Sequence, residues 1–131
     1  MGKDSYWSVN GWLMTRYTGS CHCSAVEFEV DTDLTTGLQC DCSLCKRKNI
    51  IMHRVPKEQF RLIKGKDALT LYRWNTQVAE HYFCKHCGIY THHQPRTRPD
   101  SIAVNVGCID TVNARELPIT FAEGAKLSGG R

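Results

Sequence analysis

Cys40-Asp41-Cys42-Ser43-Leu44-Cys45 packs three thiols into six residues, and Lys46-Arg47-Lys48 follows at once. Three cysteines this close cannot pair off as disulfides without leaving one over. Alternating and one-turn spacings instead let all three sulfurs converge on one cation. The stretch reads as a zinc site with room for one more ligand; the alternative is a cluster of buried or redox-paired thiols.

Two further pairs each supply half of a tetrahedral set. Cys21-His22-Cys23 opens an alternation that runs through Ala25, Val26, Phe28 and Val30 and predicts a strand, on which residues two apart share a face about 6.5 Å apart. Cys84-Lys85-His86-Cys87-Gly88 has the form of a zinc knuckle, whose backbone N–H groups point at the thiolates and whose glycine accepts a left-handed conformation. Each pair lacks two ligands while the middle stretch already has three, so the counting favours one closed four-thiolate zinc on Cys21, Cys23, Cys84 and Cys87. Such a site is structural and ties together segments about sixty residues apart. The triad Cys40, Cys42 and Cys45 then holds a second zinc whose fourth position is water or substrate, as in a catalytic metal site. Thiolate ligands temper its Lewis acidity, which suits a soft incoming thiol better than amide hydrolysis. Cys108 is left over: a small apolar residue at a strand end, a fourth ligand to the middle zinc, or a redox nucleophile. Of the histidines, one ring of His92-His93 could face the second metal, whereas His53 and His81 carry no special spacing.

The elements that must position these groups are mostly strands. The chain has 131 residues with 41% hydrophobic and 23% charged content, which suits a single globular domain. Thr18-Gly19-Ser20 reads as a turn and residues 31–37 as another. A loop passes into a short helix at residues 44–48. Strands are expected at residues 50–55, 69–74, 78–83, 89–93 and 102–106, with a further apolar piece at 60–63 and one more strand near 118–121. Residues 1–16 read as an N-terminal extension or short edge element, 17–125 as the zinc domain, and 126–131 as a frayed tail. The result is a mainly β, single-domain chain of the small-sheet or tent kind. No apolar run reaches the roughly 18 to 20 residues of a membrane span, and Met1 to Thr15 lacks a signal-peptide core. That predicts a cytoplasmic protein, and clustered cysteines in a reducing cytosol favour metal over disulfides. A net charge of +4, with basic residues scattered among acidic ones, makes nucleic acid an unlikely partner and fits a small anionic ligand as well.

Taken in order, Gly19-Ser20-Cys21-His22-Cys23, Cys40-x-Cys42-Ser43-x-Cys45, Phe83-Cys84-x-x-Cys87-Gly88, Pro95-Arg96-x-x-Pro99-Asp100 and Asn105-Val106-Gly107-Cys108-Ile109-Asp110 resemble the glutathione-dependent formaldehyde-activating enzyme family, which includes centromere protein V. The resemblance runs from about Tyr17 to Phe121. It implies a small zinc-stabilised β-tent like that of methionine sulfoxide reductase B, with structural zinc on Cys21, Cys23, Cys84 and Cys87 and a second zinc on Cys40, Cys42 and Cys45. It also implies addition of glutathione to formaldehyde to give S-hydroxymethylglutathione, a carbon-sulfur lyase reaction in the reverse sense. Ser24 and Asn49 stand where glycine is usual in that family, and Asp41 and Thr97-Arg98 also depart from its pattern.

On this reading the open zinc binds a substrate thiol as thiolate and presents it to an aldehyde carbon. Three thiolates on a dication leave a charge of minus one, which Lys46, Arg47 and Lys48 could offset while attracting glutathione's carboxylates; Arg96 is a further candidate. The rivals are a non-catalytic zinc-stabilised module that binds glutathione or a macromolecule, and a reductase using Cys108.

Overall fold

Alternation of apolar and polar residues sorts this chain into two sheets whose inner faces share a core. The computed structural model describes residues 6–9 and 12–126. The expected tail beyond Lys126, and parts of the expected N-terminal extension, lie outside those residues. In chain order the strands are β1 (Tyr6–Val9), β2 (Trp12–Ser20), β3 (Glu27–Thr32), β4 (Gly37–Cys40), β5 (Met52–Pro56), β6 (Phe60–Lys64), β7 (Leu69–Tyr72), β8 (Glu80–Cys84), β9 (Tyr90–Gln94), β10 (Ser101–Asn105) and β11 (Ile119–Ala122). The one α-helix among the described residues, α1 (Ser43–Lys48), follows β4, and five single 3-10 turns lie elsewhere.

One sheet has the order β1-β2-β3-β6 and the other β11-β4-β5-β10-β9-β8-β7. Neighbours are antiparallel except β11 and β4, which run parallel with Ala122 opposite Cys40. Phe28 and Val30 of β3 meet Val55 of β5 and Ile102 and Val104 of β10, with Cys108 and Ile109 completing this cluster. A second buried cluster consists of Cys21, Val26, Ala68 and Cys84. Two of the expected metal-binding thiols are thus themselves core residues.

Several sequence expectations need correction. Thr18-Gly19-Ser20 is not a turn but the end of β2, where Gly19 lies opposite Phe28. A Cβ at Gly19 would sit 2.3 Å from Cζ of Phe28, so the glycine serves ring packing rather than chain reversal. Cys21 and Cys23 lie in the turn before β3 rather than on a strand, which begins only at Glu27. Ser24 of that turn has φ 67° and Asn49, which caps α1, has φ 52°, so both positions require the left-handed conformation that glycine adopts most easily. Asp31 and Thr32, expected in a turn, continue β3.

Asp31 can stay in the strand because its charge is neutralised on the spot. Its side chain is 3% exposed and accepts from Arg16 Nε at 2.8 Å and Arg61 Nη2 at 3.0 Å. Burial alone would raise its pKa, but the hydrogen bonds from Arg16 and Arg61 and their charges hold the carboxyl below its ordinary value. Its contribution to stability is therefore present above the unfolded-state value near 4 and lost as pH falls through the lower folded one. Asp31→Asn should destabilise the domain by about 2 kcal/mol, since the buried carboxylate that Arg16 and Arg61 share loses its charge. Urea unfolding at pH 7 checks this, and a loss under about 0.5 kcal/mol would contradict it.

Candidate metal centre and cleft

Cysteine sulfurs form both clusters, and every cysteine is a free thiol. Cys21, Cys23, Cys84 and Cys87 make one set and Cys40, Cys42 and Cys45 the other, with the sulfurs in each set within 4.8 Å of one another. Cys21 Sγ lies 3.7 Å from Cys23 Sγ, which lies 3.7 Å from Cys84 Sγ. A tetrahedral ion with metal–sulfur bonds of about 2.3 Å spaces its sulfurs about 3.8 Å apart, so the four-sulfur set fits zinc without rearrangement. Backbone N–H groups of Val26 and His86 donate to Cys21 and Cys84 at 3.3 and 3.4 Å. Gly88 takes φ 78°, the conformation expected of the knuckle.

The triad is assembled by a strand end and a helix start. Cys40 closes β4, Cys42 is the N-cap of α1 and accepts from Cys45 N at 3.4 Å, and Cys42 N donates to Cys40 Sγ at 3.4 Å. The chain beyond β11 folds over this loop. Asp41 N donates to Ala122 O at 3.2 Å, and Ala125 N donates to Asp41 Oδ1 at 3.0 Å. Gly124 approaches so closely that a Cβ there would stand 2.3 Å from Cys40 Sγ.

Electrostatics favour a cation in both sets. Hydrogen bonds from Cys40 and then Cys45 drive the Cys42 thiol strongly down, while Cys40 and Cys42 drive Cys45 strongly up. In the four-sulfur set the Ala25 backbone favours a Cys23 thiolate. Burial and the thiols of Cys84, Cys21 and Cys87 outweigh it and push Cys23 up to about 11. One thiol of a crowded set ionises readily and its neighbours then resist, so the sulfurs become thiolates together only around positive charge.

The two sets differ in access. The triad opens into a cavity of about 160 Å³ on the outer face of the seven-stranded sheet. Its floor is a row in register across four strands: Arg54 on β5 opposite Ala103 on β10, Ala103 opposite His93 on β9, and His93 opposite His81 on β8. Leu38, Met52, Trp74, Thr76, Ala79, Pro95, Arg96, Thr97, Ala122 and Gly124 complete the lining. His81 and His93 stack with centroids 5.0 Å apart, and the Tyr90 phenol lies 3.0 Å from His81 Nδ1. Lys48 Nζ sits 3.6 Å from the centre of the Tyr90 ring. Among the described residues, the buried side-chain polar atoms without a hydrogen-bond partner are Lys48 Nζ, Arg54 Nε and His93 Nδ1. Arg54 and His93 line the cavity, and the Lys48 charge acts on Cys45, Cys42 and Cys40. Unpartnered buried polar groups at one cavity mark a place where a ligand belongs.

These placements sort the expected residues. Of the basic run, Lys46 and Arg47 are exposed, and Arg47 Nη1 donates to Ser43 O at 2.9 Å within its own helix. Lys48 alone turns inward, and burial lowers its pKa against the pull of the triad's thiolates. Arg96 lies in the cavity wall. Strand alternation puts His93 at the cavity and His92 inside, where it packs 4.7 Å from both Phe60 and Tyr82. Cys108 is buried among core residues, with its thiol 3.8 Å from Tyr90 O, and is not a fourth ligand to the triad. Burial pushes it up to about 12, which removes the ready thiolate a redox nucleophile needs. His81 and Arg54 were not singled out from sequence. The available signal was their alternation with core residues along the strand, His81 next to Tyr82 and Arg54 next to Val55.

The model of the glutathione-dependent formaldehyde-activating enzyme family matches residues 16–121, and the chain belongs to that family. A crystal structure of a Rhodobacter sphaeroides protein is also similar. It shares 42% identity and a TM-score of 0.73, covering 79% of this chain and 99% of that one.

Burial, and secondarily the Lys48 charge, lowers His81 to about 4. Burial, then Lys48 and the neighbouring His81, His92 and Arg54, holds His93 well below its ordinary value. Both rings are neutral at pH 7. Their contribution to stability is full above the unfolded-state value near 6.5 and falls as pH drops below it, for His81 down to its folded value of about 4, at roughly 1.4 kcal/mol per pH unit for each ring. Nitrogen-detected NMR of the imidazoles should therefore find both rings neutral from pH 6 to 8. A midpoint for either within that range would refute the assignment.

Proposed function

We propose that this protein adds the thiol of glutathione to formaldehyde, giving S-hydroxymethylglutathione, with zinc in both cysteine clusters. The observation that carries this reading is the contrast between the clusters. Four sulfurs lie partly within the core, whereas three others open into a cavity with unpartnered polar atoms. Zinc held by Cys40, Cys42 and Cys45 would supply positive charge that favours the thiolate form of an incoming thiol.

The chain's own residues account for the remaining requirements. Addition forms one sulfur–carbon bond and breaks the carbonyl π bond, and the thiol proton ends on the new hydroxyl oxygen. Neutral His93, with Nδ1 free, can accept that proton and return it to the oxygen; a histidinium could not accept it. His81 stacks on His93 and holds it in place. Its partner Tyr90 keeps its proton, because burial raises the phenol well above its usual value, and so can donate to His81 Nδ1. Lys48 follows the triad on α1, and its charge, which acts on Cys45, Cys42 and Cys40, would offset the excess of three thiolates over one dication. Arg96 in the wall, with Lys46 and Arg47 exposed on α1, is placed to attract the carboxylates of a tripeptide thiol. Trp74, Met52 and Leu38 supply apolar lining that excludes water. A cytoplasmic location, where glutathione is abundant and thiols stay reduced, suits this chemistry.

Purified protein should carry two zinc ions per chain by elemental analysis, and a chelator should remove one well before the other. Cys42→Ser should retain about one ion and lose at least tenfold of the thiol–aldehyde exchange rate measured by NMR exchange spectroscopy. Full exchange in that variant would sink the enzymatic reading. Glutathione binding without exchange in the wild type would favour a carrier.

A further inference from the structure

Arg54 is a permanent charge with no carboxylate counter-ion among the described residues. It lies on the cavity floor, one strand from Ala103 and two from His93, in the row that faces the triad. Its Nε is buried and unpartnered, and no described carboxylate forms an ion pair with it. The nearby charge of Arg98 repels it, and among the groups that act on its charge only Cys40 attracts. Burying its Nε without an acceptor, beside another cation, is costly unless an anion arrives to pair with it. Formaldehyde brings no such anion. Arg54 is also close enough to Cys40 for the two charges to act on each other, so the anion it awaits lies beside the reacting centre. Ala103, a small residue, stands between Arg54 and His93 in that row, all three line the cavity, and a guanidinium's fork is matched to the two oxygens of a carboxylate.

We propose that Arg54 reads a carboxylate on the electrophile, so that beside the formaldehyde of the family reaction this cleft also takes an aldehydic or 2-oxo acid, and takes it with the higher kcat/KM. The inference rests on thiol addition at the triad. With glyoxylate the step is RSH + OHC–COO⁻ giving RS–CH(OH)–COO⁻: the sulfur–carbon bond forms, the carbonyl π bond breaks, and the thiol proton passes to the hydroxyl oxygen without redox change. Arg54 holds the carboxylate so that the carbonyl oxygen turns toward His93.

The test crosses two aldehydes, glyoxylate and formaldehyde, with two thiols, glutathione and 2-mercaptoethanol, in the zinc-loaded wild type, Arg54→Gln and Arg54→Lys. The wild type should prefer glyoxylate. In Arg54→Gln the ratio of kcat/KM for glyoxylate over formaldehyde should fall about ten- to a hundredfold with either thiol, and Arg54→Lys should recover part of it. Calorimetric titration with glyoxylate alone should weaken by the same factor, a readout that does not require exchange. An unchanged ratio overturns the proposal. So does a loss seen with glutathione but not with 2-mercaptoethanol, which would assign the carboxylate to the thiol. Exchange surviving in Cys42→Ser would instead sink the triad reading, and the titration would still report on Arg54.

Discussion

Thiolates held a few ångströms apart repel one another, and this constraint underlies both the fold and the cleft. Cys21 and Cys23 stand in the turn between β2 and β3, while Cys84 and Cys87 flank the turn between β8 and β9. Their convergence pins the four-stranded sheet to the seven-stranded one at a point where the apolar core is small, Val26 and Ala68 being the other buried members of that cluster among the described residues. A cation here would replace apolar area that a 131-residue chain has in limited supply. The backbone donors on Cys21 and Cys84 stabilise thiolates in the same way that capping groups stabilise a helix end.

The same chemistry serves another purpose at the triad because its surroundings differ. Three sulfurs come from the end of β4 and the first turn of α1, leaving one direction without a sulfur. Parallel pairing of β11 with β4 brings the following residues across the loop, and Gly124 can lie against Cys40 only because it has no side chain. The remaining boundary is the outer face of the sheet. A pleated strand gives each successive residue to opposite faces, so β9 delivers His92 to the core against Phe60 and His93 to the cavity. Likewise β5 gives Val55 to the core and Arg54 to the cavity.

Burial then sets the ionisation of the cavity's polar groups. His81 and His93 remain neutral because burial disfavours the imidazolium, and secondarily because the Lys48 charge does. Lys48 keeps its place through the Tyr90 ring and the negative charge of the thiolates. The result is a neutral proton acceptor and fixed cations around the sulfurs, an arrangement suited to moving one proton while holding negative charge.

The sequence by itself determined the grouping of seven cysteines into a set of four and a set of three, the helix after Ser43, the turn ending at Gly88 and the mainly β class. These rest on spacing within a few residues, where local geometry decides which side chains can meet. It also carried the family through five short motifs in order. The tertiary structure alone decided that Lys48 rather than Lys46 or Arg47 turns inward, and that His93 rather than His92 reaches the cavity. It likewise brought Arg54 and His81 into one row, kept Asp31 in a strand beside Arg16 and Arg61, and made Gly19 a seat for Phe28 instead of a turn. Each of these depends on which strands are neighbours and which sheet face meets water, and that is settled by pairings between residues far apart in the chain.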